Sequence, residues 1–234
     1  MDQRLERIRE NEERSHTRIY SGEKLYDSDS WLNKPVKTVR DIMPLFSGYD
    51  ELHVLDLGCG VGRNSIFIAE SFPGNKCEID CVDLLQIAID KLKENAAQHG
   101  VEEKINGIVC PIEDHAVKED HYDLIMAVSA LEHIDSKESF CNKLAEIRKG
   151  IRKGGIVCLI VNSEVSEKDI ESGRELEPQF EVNLPSEELK SILEKEFTGW
   201  EVIKQGVSAQ AYDIPRDDIT SRLSTKVVSF VAKR

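Results

Sequence analysis

The stretch 53–65 constrains the fold more than any other part of this 234-residue chain. Its first part, 53–57, is an apolar run that predicts a short strand buried on both faces. Gly58, Gly60 and Gly62 follow at alternate positions, and glycine permits backbone angles that a Cβ would forbid. The residues after them have helical spacing. A strand, a turn and a helix in this order present amide donors and a positive helix end to a ligand close to the main chain.

The spacing of the glycines does not match the dinucleotide-binding pattern. That pattern, G-x-G-x-x-G, needs a third glycine where the helix packs on the strand, and Arg63 occupies this position. The pattern here is Asp-x-Gly-x-Gly-x-Gly, which begins at Asp56. A carboxylate beside the turn would repel a diphosphate, so it favours a ligand without phosphate.

From residue 53 onward the chain alternates strand-like and helix-like patterns, which predicts βαβ units around a parallel sheet. The last two strands have no helix between them, so they should pair antiparallel. The polar segments 163–185 and 208–224 are expected to be connections without clear periodicity. Strands are expected at 53–57, 77–82, 105–110, 122–128, 156–161, 200–207 and 226–232, and helices at 65–72, 85–99, from 136 to about 151, and at 187–197 behind a Ser186 cap.

Asp83 follows the second predicted strand. In open α/β sheets, ligands bind beyond the carboxyl ends of the strands. A carboxylate at this distance from the glycine turn can accept both ribose hydroxyls of an adenosine. The alternative is a solvated aspartate that caps the next helix.

Residues 50–162 resemble the class I S-adenosylmethionine-dependent methyltransferases. The pattern at 56–62 is similar to motif I of that family, and Leu-Glu-His-Ile at 131–134 resembles a segment of the type 11 and ubiquinone-biosynthesis methyltransferases. Gly-Arg-Asn-Ser at 62–65 resembles the tellurite-resistance-type branch. The resemblance implies an α/β, Rossmann-like three-layer sandwich. Its seven-stranded, mostly parallel sheet would have the order 3-2-1-4-5-7-6, with an antiparallel last strand.

The resemblance also implies S-adenosylmethionine (SAM) as cofactor, S-adenosylhomocysteine as product and a set of binding residues. Pro111 departs from the family pattern, which often has an acid there for the adenine amino group. Ile112 could still offer its amide and an apolar wall, and Glu113 or Asp114 could replace the acid. The implied cofactor-binding residues are Asp56, Gly58, Cys59, Gly60, Asp83, Leu84, Ile112, Glu113 and Ser129.

The catalytic residues are not determined by these motifs. His133 is the histidine placed near the ligand edge, so it is the candidate general base for an oxygen acceptor. The alternative is a helix-capping or structural histidine, and a thiol or metalloid acceptor would need no base. Tyr26, Trp31 and His133 are candidates for the acceptor pocket, although Tyr26 and Trp31 could equally pack the N-terminal segment on the core. No metal site is predicted.

The N-terminal segment, residues 1–45, is expected to form a helical cap over the active site of a methyltransferase domain at 46–234. Within it, residues 1–20 could be a docked charged helix or a solvated tail. A segment of helical spacing follows from about Pro35 to Met43.

Composition limits the partners. The net charge of −13 disfavours binding to nucleic acid or to an anionic membrane. No apolar run is long enough to cross a bilayer. Six cysteines without a C-x-x-C pair indicate free thiols in a reducing cytoplasm. The expected protein is a cytoplasmic monomer or homodimer.

The predicted function is methyl transfer from SAM to a small-molecule acceptor by in-line displacement. Two alternatives remain open. One is a catalytically silent SAM-binding or regulatory protein, and the other is a methyltransferase for basic protein targets.

Overall fold

The structure is a computed structural model that describes residues 3–22, 24–28, 30, 32–72, 76–216 and 219–234. Among these residues, no helix is both long and apolar enough to cross a membrane. The helices are α1 (Gln3–Gly22), α2 (Lys37–Ile42), α3 (Ser65–Ser71), α4 (Gln86–Gln98), α5 (Lys137–Gly150) and α6 (Ser186–Glu196). The strands are β1 (Leu52–Leu57), β2 (Cys77–Asp83), β3 (Ile105–Val109), β4 (Tyr122–Val128), β5 (Ile151–Asp169), β6 (Glu175–Leu176), β7 (Glu201–Arg216) and β8 (Ile219–Lys233).

One mixed sheet organises the molecule, in the order β3-β2-β1-β4-β5-β8-β7, with β6 paired to β5 outside this path. The five strands from β3 to β5 in this order are parallel, and β8 is antiparallel to both β5 and β7. When the two-residue β6 is left out of the numbering, this is the predicted order 3-2-1-4-5-7-6. The predicted α/β, Rossmann-like fold with an antiparallel last strand is confirmed.

Two apolar cores cover the two faces of the sheet. Along β1, Val54 packs into the core that includes α3 and α4, and the next residue, Leu55, packs into the core that includes α5 and α6. Both side chains are wholly buried, because successive side chains of a strand point to opposite faces. The strand order reverses between β2 and β4, on either side of β1, which places the end of β1 at a ligand-binding crevice.

Segment 208–224, predicted as a connection, is largely strand, and so is the beginning of segment 163–185, which corrects the prediction. β5 continues to Asp169, and β7 and β8 form a long hairpin across 208–224. The burial along β8 does alternate, but two of the buried residues are polar, Ser221 and Thr225. β7 is exposed along most of its length. The parts of β7 and β8 within 208–224 therefore lack the apolar pattern by which the rest of these strands, at 200–207 and 226–232, can be predicted.

The N-terminal region is helical. α1 is a single docked helix, and Ile8 on it is wholly buried. The helical spacing from Pro35 corresponds to α2 and a 3-10 turn at Met43–Phe46.

The start of α5 agrees with the sequence prediction, whereas the start of α6 differs from it by one residue. The Ser136 hydroxyl accepts the N–H of Ser139 at the start of α5. Ser186, expected to cap α6, is instead the first residue of that helix, and Pro185 is the cap. The Ser186 N–H donates to a Glu164 carboxylate oxygen at 3.0 Å, so a side chain of β5 supplies the acceptor.

Candidate functional site

The glycine turn after β1 is closely packed. Gly58, Gly60 and Gly62 have φ values of 76°, 53° and 91°, a region that side chains disfavour. A Cβ on Gly58 would lie 2.2 Å from the Cβ of Ala130, and one on Gly62 would lie 2.5 Å from Leu92. The turn therefore fits between the loop after β4 and helix α4 only because it has no side chains at these positions.

Four amides of this turn, those of Gly58, Cys59, Gly60 and Gly62, donate within the protein, which corrects the expectation of open donors. Gly58 and Cys59 both donate to the Val82 carbonyl, at 2.8 and 3.0 Å. Gly60 donates to the Asp83 carboxylate at 2.8 Å, and Gly62 donates to the Cys59 carbonyl. A ligand at this turn would meet the carboxylates beside it and the Tyr20 hydroxyl over Gly60.

Asp83, at the end of β2, connects the glycine turn to α4. One carboxylate oxygen accepts the Gly60 N–H, and the other accepts the Leu85 N–H at 3.0 Å. Burial raises the pKa of Asp83, and these two hydrogen bonds oppose the shift. Leu85, and not Asp83, is the residue that caps α4. Each oxygen of Asp83 keeps a second lone pair, so the carboxylate could still accept a hydroxyl.

Asp56 is a wholly buried carboxylate directly before the turn. Its Oδ2 accepts the Ser65 hydroxyl, while its Oδ1 has no hydrogen-bond partner among the described residues. Burial raises the pKa of Asp56 to about 7, and the Ser65 hydrogen bond opposes this shift. A buried carboxylate oxygen without a partner is costly, and a positively charged ligand would compensate it.

The loop after β3 lies beside the same turn. Pro111 opens a 3-10 turn at Ile112–Asp114, and Ile112 is buried near Gly58. Glu113 forms an ion pair with Arg9 of α1, which holds its carboxylate at this edge. Leu84 is half-buried, and Ser129 has a φ of 52° with its N–H bonded to the Ile160 carbonyl.

His133 lies in a group of carboxylates. Its Nδ1 is 3.0 Å from Glu181 and 3.4 Å from Glu12, and its ring stacks on Phe180 at 4.9 Å between centroids. Burial lowers the pKa of His133, but Glu12, Glu181 and Glu132 outweigh it and raise the pKa to about 9. The ring is therefore protonated at neutral pH, so this arrangement does not favour His133 as a general base.

The N-terminal candidates have different surroundings. The Tyr26 hydroxyl donates to the Arg63 carbonyl at 2.7 Å, and its ring packs edge-on against His99. These contacts support the alternative that Tyr26 packs the N-terminal segment on the core. Trp31 lies outside the described residues.

Helix α1 contributes residues that sequence reasoning did not select for the site. The Tyr20 hydroxyl is 3.2 Å from the point where a Gly60 Cβ would lie, so this ring covers the turn. Burial, followed by the nearby Asp83 charge, raises the pKa of Tyr20. Glu12, on the same helix, lies 3.4 Å from the Nδ1 of His133. No local signal shows that these side chains reach residues 40 or more positions away.

Comparison with known proteins supports the same interpretation. A protein-family profile described as a methyltransferase domain matches residues 54–155. The ubiquinone biosynthesis O-methyltransferase of Nitrosospira multiformis is 29% identical over 125 residues, which are 50% of this chain and 50% of that protein. The chain spans about a third to a half of the length of the curated relatives it matches.

Solved structures share the fold. TehB from Haemophilus influenzae matches with a TM-score of 0.60 and 18% identity, over 83% of this chain and 62% of that chain. A 1,6-didemethyltoxoflavin-N1-methyltransferase from Burkholderia thailandensis was solved with bound 1,6-didemethyltoxoflavin and S-adenosylhomocysteine. It matches with a TM-score of 0.53 and 17% identity, over 88% of this chain and 81% of that one.

The family match covers the glycine turn and Asp83, and the strand order is that of a Rossmann-like methyltransferase fold. Residues 54–155 thus match a methyltransferase domain, and the comparisons together support a class I S-adenosylmethionine-dependent methyltransferase with S-adenosylmethionine as cofactor.

Proposed function

We propose that this chain is an enzyme that transfers a methyl group from SAM to a small-molecule acceptor. The observation that most supports this proposal is the unpartnered Oδ1 of Asp56, buried beside the glycine turn. SAM has a sulfonium and an ammonium group, and a phosphate-containing nucleotide has neither. A buried carboxylate at this position favours the cationic ligand.

The cofactor-binding residues implied by the resemblance are proposed to act as follows. Asp56 would stabilise the positive charge at the methionine end, and Asp83 would accept the ribose hydroxyls with its remaining lone pairs. Ile112 would line the adenine side, where Glu113 supplies the acid missing at Pro111. The remaining positions of the set, Gly58, Cys59, Gly60, Leu84 and Ser129, would form the backbone surface around the ligand.

When bound, SAM supplies a methyl carbon made electrophilic by its sulfonium. The task of the chain is then to align an acceptor with that carbon and to exclude water. Segment 1–45 is proposed as the cap that does this, because Tyr20 covers Gly60 and Arg9 holds Glu113. His133 is ion-paired with Glu181, so the acceptor is proposed to need no proton removal by His133.

The acceptor is proposed to be a small molecule. The excess of acidic residues over the whole chain disfavours polyanionic targets. The relatives named above methylate different atoms, since one is named an O-methyltransferase and another an N1-methyltransferase. They therefore do not identify the accepting atom. The acceptor pocket is proposed to lie between α1, the turn at 131–134 and segment 163–185.

Calorimetry and a product assay test the proposal in two stages. The chain should bind SAM and not NAD, and Asp83→Ala should weaken SAM binding while the exposed control Asp90→Asn should not. Unchanged affinity in Asp83→Ala would exclude the ribose assignment. Release of S-adenosylhomocysteine is then measured with a panel of small phenols, amines and thiols. SAM binding without product from any acceptor would favour the silent SAM-binding alternative.

A further inference from the structure

Three side chains of the types that bind metals converge above the loop after β4. Glu12 comes from α1, His133 from the turn after β4, and Glu181 from the segment between β6 and α6. One ligand atom of each lies within 4.8 Å of the other two. More than 40 positions of sequence separate each of the three from the next, so the sequence predicts no metal site here.

The distances within this group fit a shared ion. The Nδ1 of His133 lies 3.0 Å from Glu181 Oε2 and 3.4 Å from Glu12 Oε2. Two ligand atoms that each bind a first-row ion at about 2.1 Å lie roughly 3.0 to 3.4 Å apart in adjacent octahedral or tetrahedral positions. The side chains therefore need little movement to coordinate an ion.

Unpartnered buried oxygens next to the group provide a second, independent observation. Glu132, adjacent to His133, is wholly buried, and its Oε2 has no hydrogen-bond partner among the described residues. The Glu181 side chain is 1% exposed, and its Oε1 likewise has no hydrogen-bond partner there. The Nε of Arg9 lies 3.8 Å from this oxygen, and its Nη2 is bonded to Glu113.

The charges around the group do not balance. Four carboxylates, those of Glu12, Glu113, Glu132 and Glu181, lie around the Arg9 guanidinium and the His133 imidazole, and His16 lies 4.0 Å from Glu12. The carboxylates therefore outnumber the cationic side chains that face them. Buried carboxylates in excess of their cationic partners are costly, and a divalent cation would compensate them.

We propose that Glu12, His133 and Glu181 bind one divalent first-row transition-metal ion. An imidazole nitrogen with two carboxylates suits Mn²⁺, Fe²⁺, Co²⁺ or Zn²⁺, whereas Mg²⁺ and Ca²⁺ prefer oxygen ligands alone. Three protein ligands leave coordination positions for water or for an oxygen of another molecule. The proposal goes beyond methyl transfer and does not depend on it.

An ion at this position would connect α1 to the rest of the fold. Two of its ligands, His133 and Glu181, belong to segments on the sheet, and Glu12 belongs to α1. Binding should therefore raise the melting temperature and protect α1 from proteolysis, because an ion that binds only the folded state stabilises it.

The test uses the full chain after chelator treatment, with Mn²⁺ as the main probe. Mn²⁺ prefers oxygen and nitrogen ligands to sulfur, so it should bind this group and not the six free thiols. Calorimetry should show one Mn²⁺ per chain and much weaker Mg²⁺ binding. Glu12→Gln and Glu181→Gln should each weaken Mn²⁺ binding by at least about tenfold. The exposed neighbour Glu13→Gln is the matched control and should bind as the unsubstituted chain does.

Melting temperatures measured without metal distinguish the loss of a metal site from a general folding defect in the variants. Glu12→Gln removes a carboxylate from a crowded negative group, so its metal-free melting temperature should not fall, while the increase with Mn²⁺ should be lost. Absence of Mn²⁺ binding to the unsubstituted chain would overturn the proposal. Binding of equal strength in the Glu12→Gln and Glu181→Gln variants would also overturn it, because the ion would then lie elsewhere.

Discussion

The Asp83 carboxylate accepts the N–H of Gly60 at 2.8 Å, so the end of β2 holds the glycine turn that follows β1. The other oxygen of the same carboxylate holds the start of α4 through Leu85. One side chain thereby sets the relative position of two elements that border the proposed cofactor site. A substitution at this residue should change both stability and binding.

Asp83→Ala should lower the free energy of unfolding by about 2 to 4 kcal/mol, because two N–H groups lose their acceptor. Asp83→Asn keeps one acceptor oxygen and should lose roughly half as much. Urea unfolding of the two variants checks the order. Equal losses would contradict the role assigned to the second oxygen.

Asp56 should make stability depend on pH. Its folded pKa of about 7 lies above the value of about 3.9 in an unfolded chain, so the unfolded state loses this proton at lower pH. The stability contribution is full below about pH 4, falls as the pH rises towards 7, and levels off above it. The total fall is up to about 4 kcal/mol.

Asp56→Asn should therefore stabilise the ligand-free chain at pH 7 to 8 and flatten its pH dependence between pH 5 and 7. The amide oxygen can still accept the Ser65 hydroxyl. Denaturant unfolding across this range measures both effects, with Asp90→Asn as the exposed control. SAM affinity should fall in the same variant, because the negative charge is lost. An unchanged pH slope would contradict the raised pKa.

Gly58→Ala should destabilise the chain by more than the cost of its backbone angle. Gly173 has a similar φ of 68° and open space around it, so Gly173→Ala measures the conformational cost alone, about 1 kcal/mol. The Gly58 variant adds the contact at 2.2 Å from the Ala130 Cβ and should lose roughly 2 to 4 kcal/mol.

The double variant Gly58→Ala/Ala130→Gly tests the cause of that loss. Removal of the Ala130 methyl opens the space that the new Cβ needs, so the double variant should recover part of the stability. A double-mutant cycle from thermal or urea unfolding measures the coupling. If the two losses simply add, the clash is not what makes glycine necessary at this position.

The predictable parts of the molecule are those with local signals. The glycine turn, the alternation of strands and helices and Asp83 can all be recognised from residues close together in the sequence. The burial of Ser221 and Thr225 in β8 cannot be recognised in this way, because these polar residues at buried positions hide the alternation of buried and exposed residues along the strand. Side chains of α1 at the site also give no local signal, since their partners are distant in sequence.

The extended hairpin provides the last prediction. Glu167 on β5 has a side chain that is 1% exposed and accepts two hydrogen bonds from Arg216, at 2.8 and 2.9 Å, and one from Ser221. Arg216→Ala would leave this buried carboxylate without its cation. The expected loss is about 2 to 4 kcal/mol, less than for a fully buried pair because the guanidinium is 26% exposed.

Arg222→Ala is the matched control, because Arg222 pairs with Asp213 in the same hairpin where both side chains are about half exposed. Its loss should be much smaller than that of Arg216→Ala, because exposed ion pairs contribute little to stability. Glu167→Gln in the Arg216→Ala background should recover part of the stability, since it removes the uncompensated charge. Urea unfolding of the variants measures these differences. Similar losses for Arg216→Ala and Arg222→Ala would mean that burial of Glu167 does not determine how firmly β7 and β8 are held beyond the parallel sheet.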